Sequence, residues 1–261
     1  MKNLSQLQKE NLSQIRLLSF DCDGVIVPEG TSLSQKGNTL TITTNPLPPQ
    51  TQKLLNELKK HFLLNFTSGR SLLHLTNLLS PVLWEKTSLQ AEVGLFTFLE
   101  GQVYQTQVFS LPMLEKLTKI KKLLLELALK KPHISGFEPK QLIITLHCSR
   151  PLPELETIIK ENDPENDLYH FYSGEAYDIG FKTSTKKTAL LWLAQKLNLK
   201  LENIMVVGND SNDQDLLNHV GLSISTDPSS AQASFSTTQK DYLGGQELMS
   251  HLLKLKNSQT L

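Results

Sequence analysis

The sequence has little of several features that would narrow its function at once. Only two of its 261 residues are cysteines, Cys22 and Cys148, which form neither a paired-cysteine motif nor a disulfide framework. Acidic and basic residues number 26 each, so no excess of positive charge predicts nucleic-acid binding. No window approaches the roughly 18 consecutive apolar residues of a transmembrane helix, and the N-terminal stretch lacks the apolar run of a signal peptide. We therefore expect a cytoplasmic protein with no membrane or nucleic-acid partner.

Motifs of several other enzyme classes are also missing. The sequence contains no G-x-S-x-G nucleophile elbow, no Walker A loop and no G-x-G-x-x-G fingerprint. His147, Cys148 and His170 lack metal-ligand spacing and are interpreted as strand residues. An EF-hand loop does not fit Asp21-Cys22-Asp23-Gly24, because its glycine should follow three alternating acidic positions.

The order of predicted strands and helices indicates an α/β protein with an insertion. Apolar strand patterns ending near Phe20, Thr67 and Val207 alternate with helical leucine patterns, which is typical of a parallel sheet with crossover helices. The middle of the chain instead shows a hairpin pattern, a long amphipathic helix and further short strands. We predict a Rossmann-like three-layer core formed by residues 1–95 and 183–261, with an α+β cap domain at 96–182.

Polar residues cluster where these predicted strands end. In parallel α/β sheets, ligands bind beyond the carboxyl ends of the strands, so clusters at those ends are predicted to meet. A fourth cluster opens a helix near the last of them. The four stretches are Asp21-Cys22-Asp23-Gly24, Thr67-Ser68-Gly69-Arg70, Ser184-Thr185-Lys186-Lys187 and Gly208-Asn209-Asp210-Ser211-Asn212-Asp213.

The order and spacing of these stretches resemble the haloacid dehalogenase superfamily of phosphatases and phosphomutases. That family has DxDG[TV] after its first strand, Ser or Thr often followed by Gly-Arg after its second, a lysine opening a helix, and GDxxND before another helix. The softer match of Ala91-Glu92-Val93-Gly94 resembles a stretch that precedes the cap in the sugar-phosphatase branch. The resemblance implies a type-2 cap, which closes over small phosphorylated metabolites.

The resemblance also implies a role for each matching residue. Asp21 would be the nucleophile that forms an aspartyl-phosphate, and Asp23 would protonate the leaving group and then activate water. Ser68 would hydrogen-bond the transferring phosphoryl group, with Thr67 as the alternative register, and Lys186 would neutralise charge. The remaining predicted phosphate-binding residues are Gly69, Arg70 and Asn212.

A Mg²⁺ ion is the implied cofactor, because it prefers oxygen ligands and needs few protein carboxylates. Its predicted ligands are Asp21, Asp23 through its backbone carbonyl, Asn209 and Asp213. Asn209 departs from the family pattern, which usually has Asp there; an amide oxygen still coordinates Mg²⁺ but brings no negative charge. We expect this difference to tune metal binding.

Three functions remain open at this stage. The first is a Mg²⁺-dependent phosphatase for a small phosphorylated metabolite, such as a sugar phosphate, acting as a monomer or homodimer. The second is a phosphomutase, which shares all four motifs. The third is a catalytically weakened member that binds a phosphorylated ligand or a partner protein; the intact Asp21/Asp23 pair argues against it and Asn209 argues mildly for it.

Overall fold

A nine-stranded, mainly parallel sheet organises the larger of two units in the computed structural model, which describes residues 1–257. The strands are β1 (Lys2–Asn3), β2 (Leu17–Asp21), β3 (Thr31–Lys36), β4 (Thr39–Thr44), β5 (Leu63–Thr67), β6 (Thr87–Ala91), β7 (Phe96–Leu99), β8 (Gln102–Gln105), β9 (Ile134–Phe137), β10 (Ile144–Cys148), β11 (Leu168–Tyr172), β12 (Ala176–Phe181), β13 (Ile204–Gly208), β14 (Leu222–Ser225) and β15 (Phe235–Ser236). The helices are α1 (Pro49–Leu58), α2 (Leu72–Leu79), α3 (Leu111–Ala128), α4 (Pro153–Asn162), α5 (Lys186–Lys196), α6 (Gln214–Leu217) and α7 (Asp241–Asn257).

Short 3-10 helices supplement these elements. They lie at Leu4–Gln6, Lys9–Leu12, Ser80–Val82, Glu92–Gly94, Leu201–Asn203 and Ser211–Asp213. None of the described helices is long and apolar enough to cross a membrane.

The larger unit comprises residues 1–30, 45–106 and 186–257 of the described chain. Its sheet has the order β1-β15-β14-β13-β2-β5-β6-β7-β8, parallel except for β7 and β8. Leu18, Phe20 and Phe66 pack with α1, α2 and α7 on one face, whereas Leu17 and Val206 pack with α5 and α6 on the other. Helices therefore cover both faces, and the predicted three-layer α/β architecture is confirmed.

Buried polar side chains on the α5 face of the sheet satisfy one another. The amide nitrogen of Asn65 donates to Ser19 Oγ (2.9 Å) and to Gln90 Oε1 (3.0 Å), and Ser88 Oγ donates to Asn65 Oδ1 (2.9 Å). Gln90 Nε2 donates to the carbonyl of Ala189 in α5 (2.7 Å). Since buried polar groups are costly without partners, this network ties α5 to the sheet in one position.

The second unit comprises residues 31–44 and 107–185. It contains the antiparallel sheet β11-β12-β10-β9, the helices α3 and α4, and the hairpin β3-β4. Leu33 of β3 lies against Gly136 of β9, where a Cβ would be 2.7 Å from the leucine side chain. This mixture of antiparallel strands and helices is the α+β composition predicted for the insertion.

Glu138 is the centre of a largely buried polar group in this second unit. It accepts a hydrogen bond from His147 Nε2 (2.8 Å) and lies 3.2 Å from Lys140 Nζ. Burial opposes ionisation of Glu138, but the hydrogen bond from His147 and the charge of Lys140 outweigh burial and lower its pKa to about 2.

The compact units differ from the predicted domain boundaries at three places. Residues 96–106, predicted to begin the insertion, add β7 and β8 to the edge of the nine-stranded sheet. Residues 31–44, predicted to belong to the core, lie in the second unit, as do residues 183–185. The last predicted segment, 183–261, ends with residues 258–261, which lie outside the described residues.

Candidate active site

The predicted site begins where neighbouring parallel strands end together. Asp21 is the last residue of β2 and is paired in register with Thr67, the last residue of β5. On the other side of β2, Phe20 pairs with Val207 of β13, so Gly208 ends that strand at the same edge. The sheet therefore brings Asp21, Ser68 and Asn209 to one edge. Thr67 Oγ1 is buried there and has no hydrogen-bond partner within the described chain.

A tight loop after β2 presents both aspartates. The amides of Ile26 and Val27 donate to the carbonyl of Cys22 (2.9 and 3.1 Å), and the amide of Gly24 donates to the carbonyl of Val27 (3.0 Å). Gly24 has φ +71°, a left-handed conformation that favours glycine. Thr226 Oγ1 donates to the Gly24 carbonyl (2.8 Å) and holds the loop to the end of β14.

Lys186 joins two carboxylates at the centre of the site. Its Nζ lies 2.9 Å from Asp21 Oδ1 and 2.7 Å from Asp213 Oδ1, and all three residues are buried. Burial raises the pKa of Asp21, the charge of Lys186 opposes that rise, and the charge of Asp213 adds to it. Burial disfavours the charged form of Lys186, but the two carboxylates outweigh it and raise the pKa of Lys186, which keeps its proton.

The two oxygens of Asp21 have different surroundings. Oδ1 accepts the backbone amide of Cys22 (2.8 Å) as well as the Lys186 ammonium. Oδ2 has no hydrogen-bond partner among the described residues. One oxygen is thus held by donors, while the other is available to attack an electrophile.

Asp213 supports the loop that carries Asn209. Its Oδ2 accepts the backbone amide of Asn209 (3.1 Å) while its Oδ1 accepts Lys186. Gly208 leaves room for this carboxylate, since a Cβ there would lie 2.6 Å from Asp213 Oδ2. Because both carboxylate oxygens accept hydrogen bonds from protein donors, the contacts observed for Asp213 are those of a supporting residue, and its direct ligation of a metal stays a prediction.

Arg70 binds Asp23 with its guanidinium fork. Nε lies 2.9 Å from Asp23 Oδ2 and the terminal NH2 nitrogen lies 2.5 Å from Asp23 Oδ1. The other terminal nitrogen lies 2.5 Å from His74 Nε2. Two parallel hydrogen bonds fix the plane of a carboxylate. The phosphate-binding role of Arg70 stays a prediction, and the contacts in the structure orient Asp23.

Ser68 lies in the turn that leads to α2. Its amide donates to the Gln90 carbonyl (2.9 Å), and its Oγ accepts the amide of Arg70 (3.2 Å). Gly69 follows in the same turn, between Ser68 and Arg70. Asn212 is exposed in the 3-10 helix Ser211–Asp213, and no side-chain hydrogen bond or ion pair joins it to the other site residues of the described chain. Roles for Gly69 and Asn212 in phosphate binding stay predictions.

Glu29 is the site residue that the sequence analysis missed. Its Oε1 accepts a hydrogen bond from Asn209 Nδ2 (2.8 Å). Partial burial is the largest cause of a raised pKa of Glu29, and the negative charges of Asp241, Asp23 and Asp210 raise this pKa further. The hydrogen bond from Asn209 opposes the rise. The neutral amide at position 209 was the available signal in the sequence, because it leaves the predicted metal site one carboxylate short.

The donor set fits a hard divalent cation. The Asp21 carboxylate, the Asn209 amide and the Asp23 backbone carbonyl all offer oxygen, the ligand atom that Mg²⁺ prefers. Among residues 1–257, the carboxylates of Asp21, Asp23 and Asp213 pair with two cationic side chains, Lys186 and Arg70, and the fourth carboxylate, Glu29, contacts the neutral amide of Asn209. The site is therefore left with negative charge that a cation would balance.

A second acidic group, in the inserted unit, is a poorer candidate for a metal. Asp163, Glu165 and Asp167 have carboxylate oxygens close enough to share an ion. The ammonium of Lys116 already binds all three, at 2.7, 2.8 and 2.8 Å. Burial opposes its charge, but these hydrogen bonds raise the pKa of Lys116, so a protein cation already occupies the position among the three carboxylates where a metal ion would bind.

Comparisons with known proteins agree with this geometry. Residues 130–234 match the family of haloacid dehalogenase-like hydrolases, a segment that includes Lys186 and Asn209. No curated protein sequence matches the chain.

Three solved structures illustrate the shared fold. A trehalose-6-phosphate phosphatase related protein has a TM-score of 0.66 at 17% identity, covering 92% of this chain and 98% of its own. The C-terminal domain of trehalose-6-phosphate phosphatase from C. albicans has a TM-score of 0.69 at 19% identity, covering 95% of both chains. A haloacid dehalogenase-like hydrolase from Bacteroides thetaiotaomicron has a TM-score of 0.68 at 12% identity, covering 91% and 99%. The resemblance predicted from the sequence is confirmed: residues 130–234 match the haloacid dehalogenase-like hydrolase family, and the fold of the chain is similar to that of a haloacid dehalogenase-like hydrolase.

Proposed function

We propose that the protein is a Mg²⁺-dependent phosphatase that hydrolyses a small phosphorylated metabolite through an aspartyl-phosphate at Asp21. The observation that carries this proposal is the split environment of Asp21, whose Oδ1 is held by Lys186 and Cys22 while Oδ2 has no protein partner within the described chain. The family match to hydrolases supports the reaction class. Similarity to the structures of a trehalose-6-phosphate phosphatase domain and of a related protein favours a sugar phosphate as the substrate.

The first half-reaction transfers the phosphoryl group to the protein. Asp21 Oδ2 attacks phosphorus, and the bond between phosphorus and the ester oxygen breaks. Asp23, oriented by Arg70, gives a proton to the departing oxygen so that an alcohol leaves. Lys186 offsets negative charge beside the nucleophile, and Ser68 lies at the same sheet edge to donate a hydrogen bond to the phosphoryl group.

The second half-reaction returns the protein to its starting state. Asp23, now a carboxylate, takes a proton from water as that water attacks phosphorus, and the bond between phosphorus and Asp21 breaks. Inorganic phosphate leaves, Asp21 is again a carboxylate and Asp23 is again protonated. Mg²⁺ bound by Asp21, the Asp23 carbonyl and Asn209 would supply positive charge to the phosphoryl oxygens.

Release of phosphate in the presence and absence of Mg²⁺ tests the proposal. The substrates are p-nitrophenyl phosphate and a panel of aldose, ketose and disaccharide phosphates, and EDTA removes the metal. Asp21→Asn keeps the size of the side chain but removes the nucleophile, so we expect a loss of about a thousandfold or more. Equal phosphate release by wild type and Asp21→Asn would contradict the proposal. Movement of the phosphoryl group to another oxygen of the same sugar would instead indicate a phosphomutase.

A further inference from the structure

The contact between Glu29 and Asn209 has a defined chemical direction. Only the amide nitrogen of Asn209 can donate to the Glu29 carboxylate, at 2.8 Å, so the hydrogen bond determines which branch of the amide is nitrogen and which is oxygen. Asn209 is buried and Glu29 approaches it from the surface. The amide oxygen is thereby left free of Glu29 and available as a ligand.

Gly24 and Asn45 fix the position of the Glu29–Asn209 pair. They lie over Gly24, where a Cβ would be 2.2 Å from Asn209 Nδ2 and 2.7 Å from Glu29 Oε1. Asn45 Nδ2 donates to the carbonyls of Glu29 (3.0 Å) and Pro28 (3.3 Å), which fixes the backbone that presents the carboxylate. A side chain at position 24 would displace the pair, so the glycine is needed for space as well as for its positive φ.

The charge on Glu29 is not neutralised by a protein cation. Within residues 1–257 its carboxylate forms no ion pair, and its polar side-chain partner is the neutral amide of Asn209. Asp23, Asp210 and Asp241 are near enough to repel it. A carboxylate in such surroundings contributes negative potential at a site that would hold a cation.

We propose that Glu29 is a positioning residue for the metal. It orients the amide of Asn209 and, through that contact, supplies the negative charge that this neutral ligand lacks. This inference rests on the proposed function, since it concerns the same Mg²⁺ site. It makes Glu29 and Asn209 a matched pair. An aspartate at position 209 would place two carboxylates in contact, and like charges at that distance disfavour each other.

Mg²⁺ affinity measured by isothermal titration calorimetry tests the pairing without a turnover assay. The proteins are wild type, Glu29→Gln, Asn209→Asp and the double variant. Glu57→Gln, which removes an exposed carboxylate of α1 that pairs with Lys60, controls for loss of charge. Gln at position 29 keeps a hydrogen-bond acceptor and removes the charge. We expect Glu29→Gln to weaken Mg²⁺ binding about tenfold, as loss of a residue that supports a metal ligand typically does, and Glu57→Gln to leave it unchanged.

The double variant distinguishes pairing from a general charge effect. In the Asn209→Asp background, Glu29→Gln removes a repulsive contact, so we expect Mg²⁺ affinity to stay the same or to increase. A tenfold loss in both backgrounds would overturn the inference, because Glu29 would then act independently of Asn209. Wild-type affinity retained by Glu29→Gln would overturn it while leaving the metal site intact. Absence of Mg²⁺ binding in wild type would overturn both the inference and the metal dependence of the proposed function.

Discussion

Replacing Lys186 with methionine should strongly destabilise the larger unit, because it leaves two buried carboxylates without their shared cation. Lys186 lies 2.9 Å from Asp21 and 2.7 Å from Asp213, and its side chain is 5% exposed. Removing one partner of a buried ion pair typically costs about 3–5 kcal/mol. We expect Lys186→Met to lower the free energy of unfolding by about that amount near neutral pH.

The neighbouring residue provides a matched control. Lys187 also faces a carboxylate, that of Asp215 at 3.3 Å, but both side chains are partly exposed, at 26% and 56%. Exposed pairs contribute only about 0–1 kcal/mol. Lys187→Met, which makes the same chemical change one position along the helix, should therefore alter stability by less than about 1 kcal/mol.

Urea unfolding, monitored by tryptophan fluorescence, measures the difference in unfolding free energy between the two lysine variants in the larger unit. Both tryptophans, Trp84 and Trp192, lie in the larger unit, so the signal does not follow the inserted unit. EDTA is added to keep bound metal from contributing to stability.

The pH dependence of the Lys186→Met variant gives a second readout. Burial raises the pKa of Asp21 above its unfolded value, so its ionised form destabilises the fold. Without Lys186 the pKa of Asp21 rises beyond the value of about 7 that it has in wild type, so the deficit should stay constant between about pH 4 and pH 7 and grow as the pH rises above about 7. Equal stabilities of the two lysine variants, or a deficit independent of pH, would refute the assignment of Lys186 as the buried counter-ion.

Three other substitutions test separate contacts. Arg70→Lys leaves one ammonium where a guanidinium binds both oxygens of Asp23, so kcat for phosphate-ester hydrolysis should fall about tenfold or more. Glu138→Gln removes a carboxyl whose lowered folded pKa gives stability that is present above pH 4.5 and is lost as the pH falls toward about 2. Hydrogen exchange of β10 should therefore show an acid-dependent loss of about 3 kcal/mol in wild type and a weaker pH dependence in the variant. Gly245→Ala should lower the thermal unfolding midpoint, because the Cβ of the alanine would lie 1.8 Å from the carbonyl oxygen of Val25. We expect this clash to outweigh the helix propensity of alanine, which is better than that of glycine by about 1 kcal/mol.

Each of these three predictions has a contradicting result. An unchanged kcat in Arg70→Lys would show that hydrolysis does not need the two hydrogen bonds from the guanidinium group to Asp23. If hydrogen exchange of β10 depended on pH in Glu138→Gln as it does in wild type, the acid-dependent loss of stability would belong to a group other than Glu138. A higher midpoint for the alanine variant would mean that α7 can move away from the loop after β2.

The centre of the site could be predicted from the sequence because a parallel sheet brings strand ends together. Asp21 ends a buried strand, Ser68 and Asn209 each follow one, and the hydrophobic patterns of those strands are visible in the sequence. Lys186 opens the helix α5, and the structure places it between Asp21 and Asp213. Strand periodicity placed these residues at the ends of strands, and the family resemblance implied their roles in the reaction.

The contacts that the sequence did not reveal depend on loops and sheet edges. Glu29 and Asn209 are 180 positions apart, and no periodic pattern links them. Strand alternation in 96–105 predicts a hairpin but not which sheet it joins, so β7 and β8 were assigned to the insertion rather than to the large sheet. Residues 31–44 were predicted to belong to the core, because their packing against β9 depends on tertiary contacts that strand alternation does not reveal.

Trapping the phosphorylated protein tests the central claim most directly. Asp23→Asn should still accept a phosphoryl group from p-nitrophenyl phosphate, since p-nitrophenolate leaves without a proton, but it should hydrolyse the aspartyl-phosphate slowly. After rapid acid quenching, mass spectrometry should find one added phosphoryl group on the peptide that contains Asp21, and none when Asp21→Asn is added to the variant. Phosphate release by wild type together with a phosphoryl group on any other residue, or with none on Asp21 in the Asp23→Asn variant, would contradict the account.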